Sequence, residues 1–250
     1  MKQPGREEVR AWVQASRHVV VLTGAGVSAE SGVPTFRDAQ TGLWARFDPQ
    51  ALATEAAYRA DPPMVWRWYQ HRRALVVEAL PNAGHFALAE FAQANPGRLT
   101  VVTQNVDSLH QRAGQPETLA LHGNLMEDRW LSPPGACCLV QSLAPDAQRN
   151  QPPSCASCGN LRRPAVVWFG ENLPAQALAG AEAAVATCDL MLVVGTSGQV
   201  YPAAGLAFAA QQRGARVVII NPETTELDRI ADACLQEPSA VCLPYLLESV

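Results

Sequence analysis

Five short, almost continuously apolar segments constrain the fold of this chain more than any other feature of its sequence. They are residues 18–23, 99–103, 165–168, 190–194 and 215–220. Strands that are apolar on both faces are typical of a parallel sheet covered by helices on both sides. Segments of helical composition precede or separate several of them, at residues 6–17, 175–187 and 203–213. This alternation predicts the α/β class, with a doubly wound parallel sheet.

Two segments interrupt the alternation. Residues 34–73 are rich in Trp, Tyr and Pro, which indicates a helical insertion or lid. Residues 124–164 are rich in Cys, Pro, Gly and Ser, a composition typical of a small module held by a metal rather than by a core. We therefore expect three parts. They are a main domain of residues 1–35, 75–123 and 165–250, a helical insertion at 36–74, and a small cysteine-containing module at 124–164.

Charge and composition exclude several classes of protein. The 250 residues carry a formal net charge of −4 and contain no basic patch, so we expect no nucleic-acid partner. The polar first ten residues do not form a secretion signal, and no apolar stretch approaches the roughly 20 residues of a membrane-spanning helix. Four of the seven cysteines cluster between Cys137 and Cys158, which indicates metal binding in a reducing compartment. We expect a globular cytoplasmic protein that does not bind membranes.

A glycine-rich turn follows the first predicted strand. Gly24, Gly26 and Ala29 satisfy the pattern G-x-G-x-x-A, in which backbone N–H groups approach a pyrophosphate at a helix N-terminus. A tight turn without a ligand is the alternative. A dehydrogenase also needs a second strand that ends in an acidic residue about 20 residues later, and this chain has none there. Glu223 instead follows a late strand, where it could bind a ribose hydroxyl or simply lie in the first turn of a helix.

Six short stretches, in a characteristic order, carry a family resemblance. They are 24–38 (GAGVSAESGVPTFRD), 103–114 (TQNVDSLHQRAG), 121–123 (LHG), 167–171 (VWFGE), 195–197 (GTS) and 221–223 (NPE). Together they resemble the sirtuins, NAD-dependent protein lysine deacylases, and in particular the desuccinylase-type branch of bacteria and mitochondria. The resemblance implies a Rossmann-like large domain, a small zinc-bearing domain, and a cleft between them for NAD and an acyl-lysine peptide or protein.

The resemblance also implies which residues handle NAD, a co-substrate that the reaction consumes. His122 and Asn105 are the catalytic residues, with His122 as the base that takes a proton from a ribose hydroxyl. His110 is the competing base, although a structural role is favoured on its predicted helix, residues 106–113. Asp107 would line the nicotinamide pocket, and it is also a good helix N-cap. The remaining NAD-binding residues implied are Gly24, Ala25, Gly26, Ser28, Phe36, Arg37, Gln104, Gly195, Thr196, Ser197, Asn221, Pro222, Glu223 and Ser239.

A second set of residues concerns the acyl-lysine substrate. The peptide would pair with the edges at 167–171 and 198–201, where Val167, Phe169, Gly170 and Tyr201 would contact it. Tyr69 and Arg72 are three residues apart on a predicted helix, so they share a face and could receive a carboxylate. With the small Ala53, they resemble the pocket for succinyl, malonyl and glutaryl groups. The alternative is a half-buried tyrosine beside a surface arginine, and acetyl-lysine remains a substrate in either case.

The cysteine cluster has only one regular half. Cys155 and Cys158 form the C-x-x-C knuckle of a structural zinc site. Cys137 and Cys138 are adjacent, and neighbouring side chains tend to diverge, which disfavours ligation by both. Three outcomes stay open: zinc on all four cysteines, zinc on three with another ligand, or a module that has lost the metal.

Two rival functions use the same nucleotide site. A mono-ADP-ribosyltransferase would release nicotinamide and label a protein without acyl transfer. A non-catalytic module could sense NAD or ADP-ribose, although an intact His122 argues against it.

Overall fold

A computed structural model of the chain describes residues 4–35, 48–139 and 150–248. A six-stranded parallel sheet in the order β3-β2-β1-β6-β7-β8 forms its centre. Those strands are β1 (Val19–Thr23), β2 (Leu99–Thr103), β3 (Thr118–Ala120), β6 (Leu190–Val194), β7 (Arg216–Ile220) and β8 (Ala233–Leu235). A separate two-stranded sheet pairs β4 (Gly123–Trp130) with β5 (Arg162–Val166) in antiparallel fashion. The α/β class and the parallel sheet are therefore as predicted.

Helices cover both faces of the six-stranded sheet. Within the described residues, the helices are α1 (Arg6–Ala15), α2 (Ala25–Ala29), α3 (Pro49–Leu52), α4 (Glu55–Ala60), α5 (Pro62–Glu78), α6 (Ala83–Ala94), α7 (Leu109–Arg112), α8 (Ala136–Leu139), α9 (Ala175–Thr187), α10 (Gly205–Gln212) and α11 (Ser239–Leu247). Successive side chains of a strand point to opposite faces. Val19 and Val21 of β1 accordingly join the core cluster under α1, α6 and α11, whereas Val20 and Leu22 join the one under α9 and α10.

A third apolar cluster lies outside the parallel sheet. It brings the aromatic residues of α4 and α5 against β4 and β5, with Tyr58, Trp66, Trp68 and Trp168 fully buried. Helix α5 begins at a side-chain cap, because Asp61 accepts a hydrogen bond from the Met64 N–H at 3.0 Å. The insertion predicted before residue 74 is therefore helical in the part that the structure describes.

One strand assignment made from the sequence needs correction, and two strands were missed. Residues 165–168 do not form a strand of the parallel sheet, because β5 ends at Val166 and pairs antiparallel with β4. Its apolar residues are buried against α5 rather than beneath helices that cover the main sheet. Strands β4 and β8 were not predicted. In β4 only Leu125 is buried, so its sequence lacks a clear apolar pattern.

None of the helices within residues 4–35, 48–139 and 150–248 is both long enough and apolar enough to cross a membrane.

Candidate functional site

One edge of the main sheet collects most of the predicted NAD-binding residues. Strands β1, β2, β6 and β7 are parallel neighbours, so their carboxyl ends meet at the same edge. The segments that follow them contain Gly24–Ser28, Gln104–Asp107, Gly195–Ser197 and Asn221–Glu223. Ligands of open α/β sheets bind at this edge, next to the point where the strand order reverses. Here the chain reverses between β1 and β6, so the two glycine-rich segments flank that point.

The two glycine-rich segments pack backbone against backbone. The Gly26 N–H donates to the Gly195 carbonyl oxygen at 2.8 Å. A Cβ atom on Gly26 would lie 2.8 Å from Gly195 Cα, and one on Gly24 would lie 2.6 Å from Thr196 Cβ. Glycine is therefore required at both positions for the turn to close. The amides that remain stand at the N-terminus of α2, a setting suited to a phosphate.

Gln104 and Asn105 connect the β2 end to these turns. Gln104 donates from Nε2 to the Thr196 hydroxyl at 3.1 Å. Asn105 is buried and donates from Nδ2 to the Ser28 hydroxyl at 3.0 Å. The Ser28 hydroxyl in turn hydrogen-bonds the Asp107 carboxylate. The structure thus brings these five predicted residues to one edge of the sheet, in two hydrogen-bonded groups.

Of the two roles considered for Asp107, the structure shows a side-chain hydrogen bond to the start of α7, whereas its place in the nicotinamide pocket stays a prediction. Its Oδ1 accepts from the N–H of Leu109, the first residue of α7, at 2.9 Å. Ser108 lies between the two residues with a left-handed φ of 62°. Helix α7 therefore starts at Leu109 rather than at residue 106 as predicted. Burial raises the pKa of Asp107, although the hydrogen bonds from Leu109 and Ser28 oppose the shift.

The main-chain carbonyl group of Gln104 orients His122. Its Nδ1 lies 2.9 Å from the Gln104 carbonyl oxygen, which can only accept a hydrogen bond. Nδ1 therefore carries the hydrogen, and Nε2 presents a lone pair. Burial lowers the pKa of His122, against the opposing effect of the bond to Gln104. A neutral imidazole with a free lone pair is the form that a general base requires.

His110 lies in a buried polar cluster that sequence reasoning did not foresee. Its Nε2 is 3.0 Å from the Thr23 hydroxyl, which donates to Thr103 at 2.7 Å. Thr103 accepts from the Asn105 N–H at 3.0 Å. Burial and the nearby His85 lower the pKa of His110 to about 3, so it stays neutral. In the sequence, this contact to the Asn105 backbone was indicated only by Thr23 and Thr103, which end two of the predicted strands.

Tyr69 and Arg72 lie together on the buried side of α5. Tyr69 accepts from the Trp168 indole N–H at 2.8 Å, and burial raises its pKa. Arg72 is 9% exposed and lies with its guanidinium carbon 5.4 Å from the centre of the Trp68 ring. Burial lowers the pKa of Arg72, although the nearby Tyr69 and Asp107 oppose that shift. The surface-arginine alternative is therefore wrong, and the pair adjoins the predicted nicotinamide side of the cleft.

The predicted peptide edge joins these groups through the backbone. Val167 donates its N–H to the His122 carbonyl at 2.8 Å, and Phe169 donates to the Ala53 carbonyl at 2.9 Å. The side chains of Phe169 and Tyr201 are exposed, as is Gly170. His122 and the buried Ala53 are thus each bonded directly to this edge.

Four of the remaining predicted NAD-binding residues lie after β7 and at the start of α11. The Asn221 side chain donates to the Glu223 carbonyl at 2.7 Å, and Pro222 and Glu223 are exposed. Ser239 is buried at the start of α11, where its hydroxyl donates to Glu30 at 2.8 Å. Phe36 and Arg37 lie outside the described residues.

Four cysteine sulfurs converge in the small module. The Sγ atoms of Cys137, Cys138, Cys155 and Cys158 all lie within 4.8 Å of one another. Tetrahedral zinc thiolate geometry needs sulfurs about 3.8 Å apart. Cys138 and Cys158 already approach to 3.5 Å, and the Cys158 and Ser157 backbone N–H groups lower the pKa of Cys155 to about 7. This donor set fits a structural zinc ion.

The expectation that adjacency disfavours ligation by both Cys137 and Cys138 is wrong. Both lie on the short helix α8, where neighbouring side chains point about 100° apart. The cluster occupies the space between those directions, so both sulfurs reach it.

Comparison with known proteins identifies the family. Residues 24–202 match the Sir2 family. The chain belongs to this family. It is 56% identical over 240 residues to an NAD-dependent protein deacylase of Ralstonia nicotianae, covering 96% of this chain and 95% of that protein. A similarly named protein of Methylococcus capsulatus is 45% identical over 251 residues, covering 98% and 96% of the two chains.

Solved structures of this family agree with the fold. A Sir2 homologue in complex with NAD superposes with a TM-score of 0.85 at 42% identity, covering 96% of this chain and 92% of that one. A Sir2 protein with a deacetylated p53 peptide and 3′-O-acetyl-ADP-ribose gives a TM-score of 0.82 at 30% identity, with 97% of each chain covered.

Proposed function

We propose that this sirtuin is an NAD-dependent protein lysine deacylase that removes succinyl and malonyl groups, and also acetyl groups, from lysine side chains. The observation that carries the proposal is the orientation of His122, which presents Nε2 as a base beside the Asn105 network. The relatives named above carry the name NAD-dependent protein deacylase. The products would be nicotinamide, O-acyl-ADP-ribose and free lysine.

Each part of the cleft has a task in this reaction. The turns at Gly24–Ser28 and Gly195–Ser197 would bind the phosphates and the adenine ribose, with Glu223 near the latter. Gln104 and Asn105 would hold the nicotinamide ribose, and Asp107 would line the nicotinamide pocket. Phe36 and Arg37 would cover the nicotinamide side, and Ser239 would lie toward the adenine.

The chemistry then proceeds in two stages. Loss of nicotinamide leaves an electron-poor ribose carbon, to which the acyl oxygen bonds while water is kept away. His122 then takes the proton of a ribose hydroxyl, and that oxygen attacks the acyl carbon. One water completes the balance as the lysine amine departs.

The acyl preference rests on Tyr69 and Arg72. A phenol and a guanidinium on one face of α5 can together receive a terminal carboxylate. Their burial strengthens such a contact, because water competes less for the charged groups. Ala53 leaves room beside them for a longer chain. Acetyl-lysine has no carboxylate, so it would bind without using this pair.

We also propose the setting in which the enzyme works. An extended acyl-lysine peptide would pair with Val167–Gly170 and Tyr201 through main-chain bonds, which favours many protein substrates. The four-cysteine cluster would hold zinc as a structural ion, since the reaction needs no Lewis acid. Thiolate ligands require a reducing compartment, which supports a cytoplasmic location. The three parts predicted from the sequence remain our domain assignment.

Mass spectrometry of acyl-lysine peptides incubated with NAD tests the proposal. The wild-type enzyme should convert succinyl- and acetyl-peptides to free lysine peptides and release O-acyl-ADP-ribose, whereas His122→Ala should not. Unchanged peptides with wild type would refute a deacylase. ADP-ribosylated protein without acyl transfer would indicate the rival transferase.

The variant Arg72→Met tests the acyl preference separately. It should reduce desuccinylation by roughly tenfold or more, because a charge-assisted contact is lost, and deacetylation far less. Equal losses of both activities would exclude a carboxylate-binding role for Arg72.

A further inference from the structure

The hydroxyl of Tyr69 is engaged from one side by an indole. Trp168 Nε1 lies 2.8 Å from the Tyr69 oxygen, and both side chains are buried. An indole N–H can donate a hydrogen bond but cannot accept one. The Tyr69 oxygen must therefore accept from Trp168. The hydroxyl hydrogen of Tyr69 must point in another direction, because the indole hydrogen already lies between the two heavy atoms.

That hydrogen has no acceptor among the described residues. Within the described residues, the bond from Trp168 is the hydroxyl's only hydrogen bond. Burial raises the pKa of Tyr69, so the phenol keeps its proton at neutral pH. An acceptor that reaches the cleft beside Arg72 would therefore find a phenol O–H already turned away from the indole.

The indole itself is held in place on several sides. The Arg163 guanidinium carbon lies 3.1 Å from the centre of the Trp168 ring, and the Tyr58 ring centre is 5.1 Å away. The Trp168 backbone N–H donates to Glu171 at 2.8 Å. Arg163 also donates to Glu171, at 3.1 Å from its second terminal nitrogen. Packing of this kind leaves the indole one orientation, which it imposes on Tyr69.

We propose that Trp168 is a specificity-determining residue that selects acyl groups ending in a carboxylate. It acts through Tyr69: the indole N–H occupies one side of the phenol oxygen and directs the phenol hydrogen toward the carboxylate, beside the positive charge of Arg72. An acetyl group ends in a methyl and gains nothing from that hydrogen. This inference deepens the function proposed above and rests on it.

Steady-state kinetics of the Trp168→Phe variant test the inference. Phenylalanine keeps an aromatic ring but lacks the N–H. The ratio of kcat/KM for a succinyl-peptide to that for the matching acetyl-peptide should fall about tenfold. The change should lie mainly in KM for the succinyl-peptide. The variant Trp12→Phe, on α1 outside the cleft, is the matched control and should keep the wild-type ratio.

A double-mutant cycle shows whether Trp168 acts through Tyr69. In a Tyr69→Phe background the phenol oxygen is gone, so Trp168→Phe should change the ratio less than twofold further. Full additivity of the two losses would overturn the inference, as would equal losses for both peptides in Trp168→Phe.

A replacement of Trp168 that keeps the shape of the indole separates the loss of its N–H from a loss of folding. Benzothienylalanine at position 168 replaces the N–H by sulfur and keeps the bicyclic shape, so the same fall in the ratio is expected in a protein of unchanged melting temperature. Suppose that the wild type removes succinyl groups and that Arg72→Met does not. An unchanged ratio in the position-168 variant would then overturn the role of Trp168 and leave the proposed function standing. Absence of wild-type deacylation would instead refute the proposed function.

Discussion

The carbonyl oxygen of Gln104 decides which nitrogen of His122 carries a hydrogen. Since that oxygen only accepts, the hydrogen stays on Nδ1 and the base is Nε2. Burial then lowers the pKa of His122, so the imidazole is neutral over a wider range of pH than a free histidine. Gln104, which would contact the nicotinamide ribose, therefore also sets the tautomer of His122.

A pH profile tests this arrangement. A base works in its deprotonated form, so activity is lost as the pH falls through its pKa. Since the pKa of His122 is lowered from 6.5, the acidic decline of kcat/KM for an acetyl-peptide should have its midpoint below pH 6.5. The variant His18→Gln, at the opposite end of β1, should give the same profile. An acidic decline centred above pH 6.5 would contradict the assignment.

Gly26 sets the distance between the two glycine-rich turns. In Gly26→Ala the new methyl would lie 2.8 Å from Gly195 Cα, so the turns must separate. We expect KM for NAD to rise about tenfold or more, because misplaced amides lose charge-assisted bonds to phosphate. Gly5→Ala is a suitable control, since a Cβ there meets nothing within 4 Å. Unchanged NAD kinetics in Gly26→Ala would show that these amides do not bind the phosphates.

At the scale of elements, α5 is tied to the small sheet by one buried ion pair. Arg73 donates to Asp128 at 2.6 Å, with side chains 3% and 2% exposed, and also to the Leu125 carbonyl at 2.7 Å. This pair fixes the helix that bears Tyr69 and Arg72 against β4.

Removing one partner should be costly. Arg73→Met leaves the Asp128 carboxylate buried without its cation, so the free energy of unfolding should fall by about 3–5 kcal/mol. Urea denaturation measures this difference. Arg67→Met, on the exposed side of the same helix, should change it by less than about 0.5 kcal/mol. A similar small effect for Arg73→Met would mean that the pair does not hold α5 in place.

The elements also show how far the sequence could lead. Strands β2 and β6 and helix α9 were predicted to the residue, because continuous apolar runs and small-residue helices follow directly from burial on both faces. The run at 165–168 has the same character but is buried by α5, a contact distant in sequence. Trp168 was missed as a partner of Tyr69 for the same reason, since 99 positions separate them. His122 was found because a motif identified it, whereas its bond to Gln104 required the fold.

For the whole molecule, the four-cysteine cluster closes a module whose described residues contribute little apolar core. Segment 131–139 and the turn at 155–158 contribute few buried apolar side chains, so a bound metal ion would supply stability that packing does not. The module carries β5, which leads directly into the peptide edge at Val167. A structural ion far from the chemistry would thereby affect substrate binding.

Metal analysis tests this arrangement and the adjacent pair together. Purified protein should contain one zinc per chain, and Cys137→Ser, Cys138→Ser and Cys155→Ser should each lose most of it, because all four sulfurs lie within 4.8 Å of one another. Each variant should also melt at a lower temperature. Cys188→Ala, which changes a buried cysteine at the C-terminal end of α9, is the control and should keep its zinc. Full zinc content in Cys137→Ser alone would show that three cysteines and another ligand hold the ion.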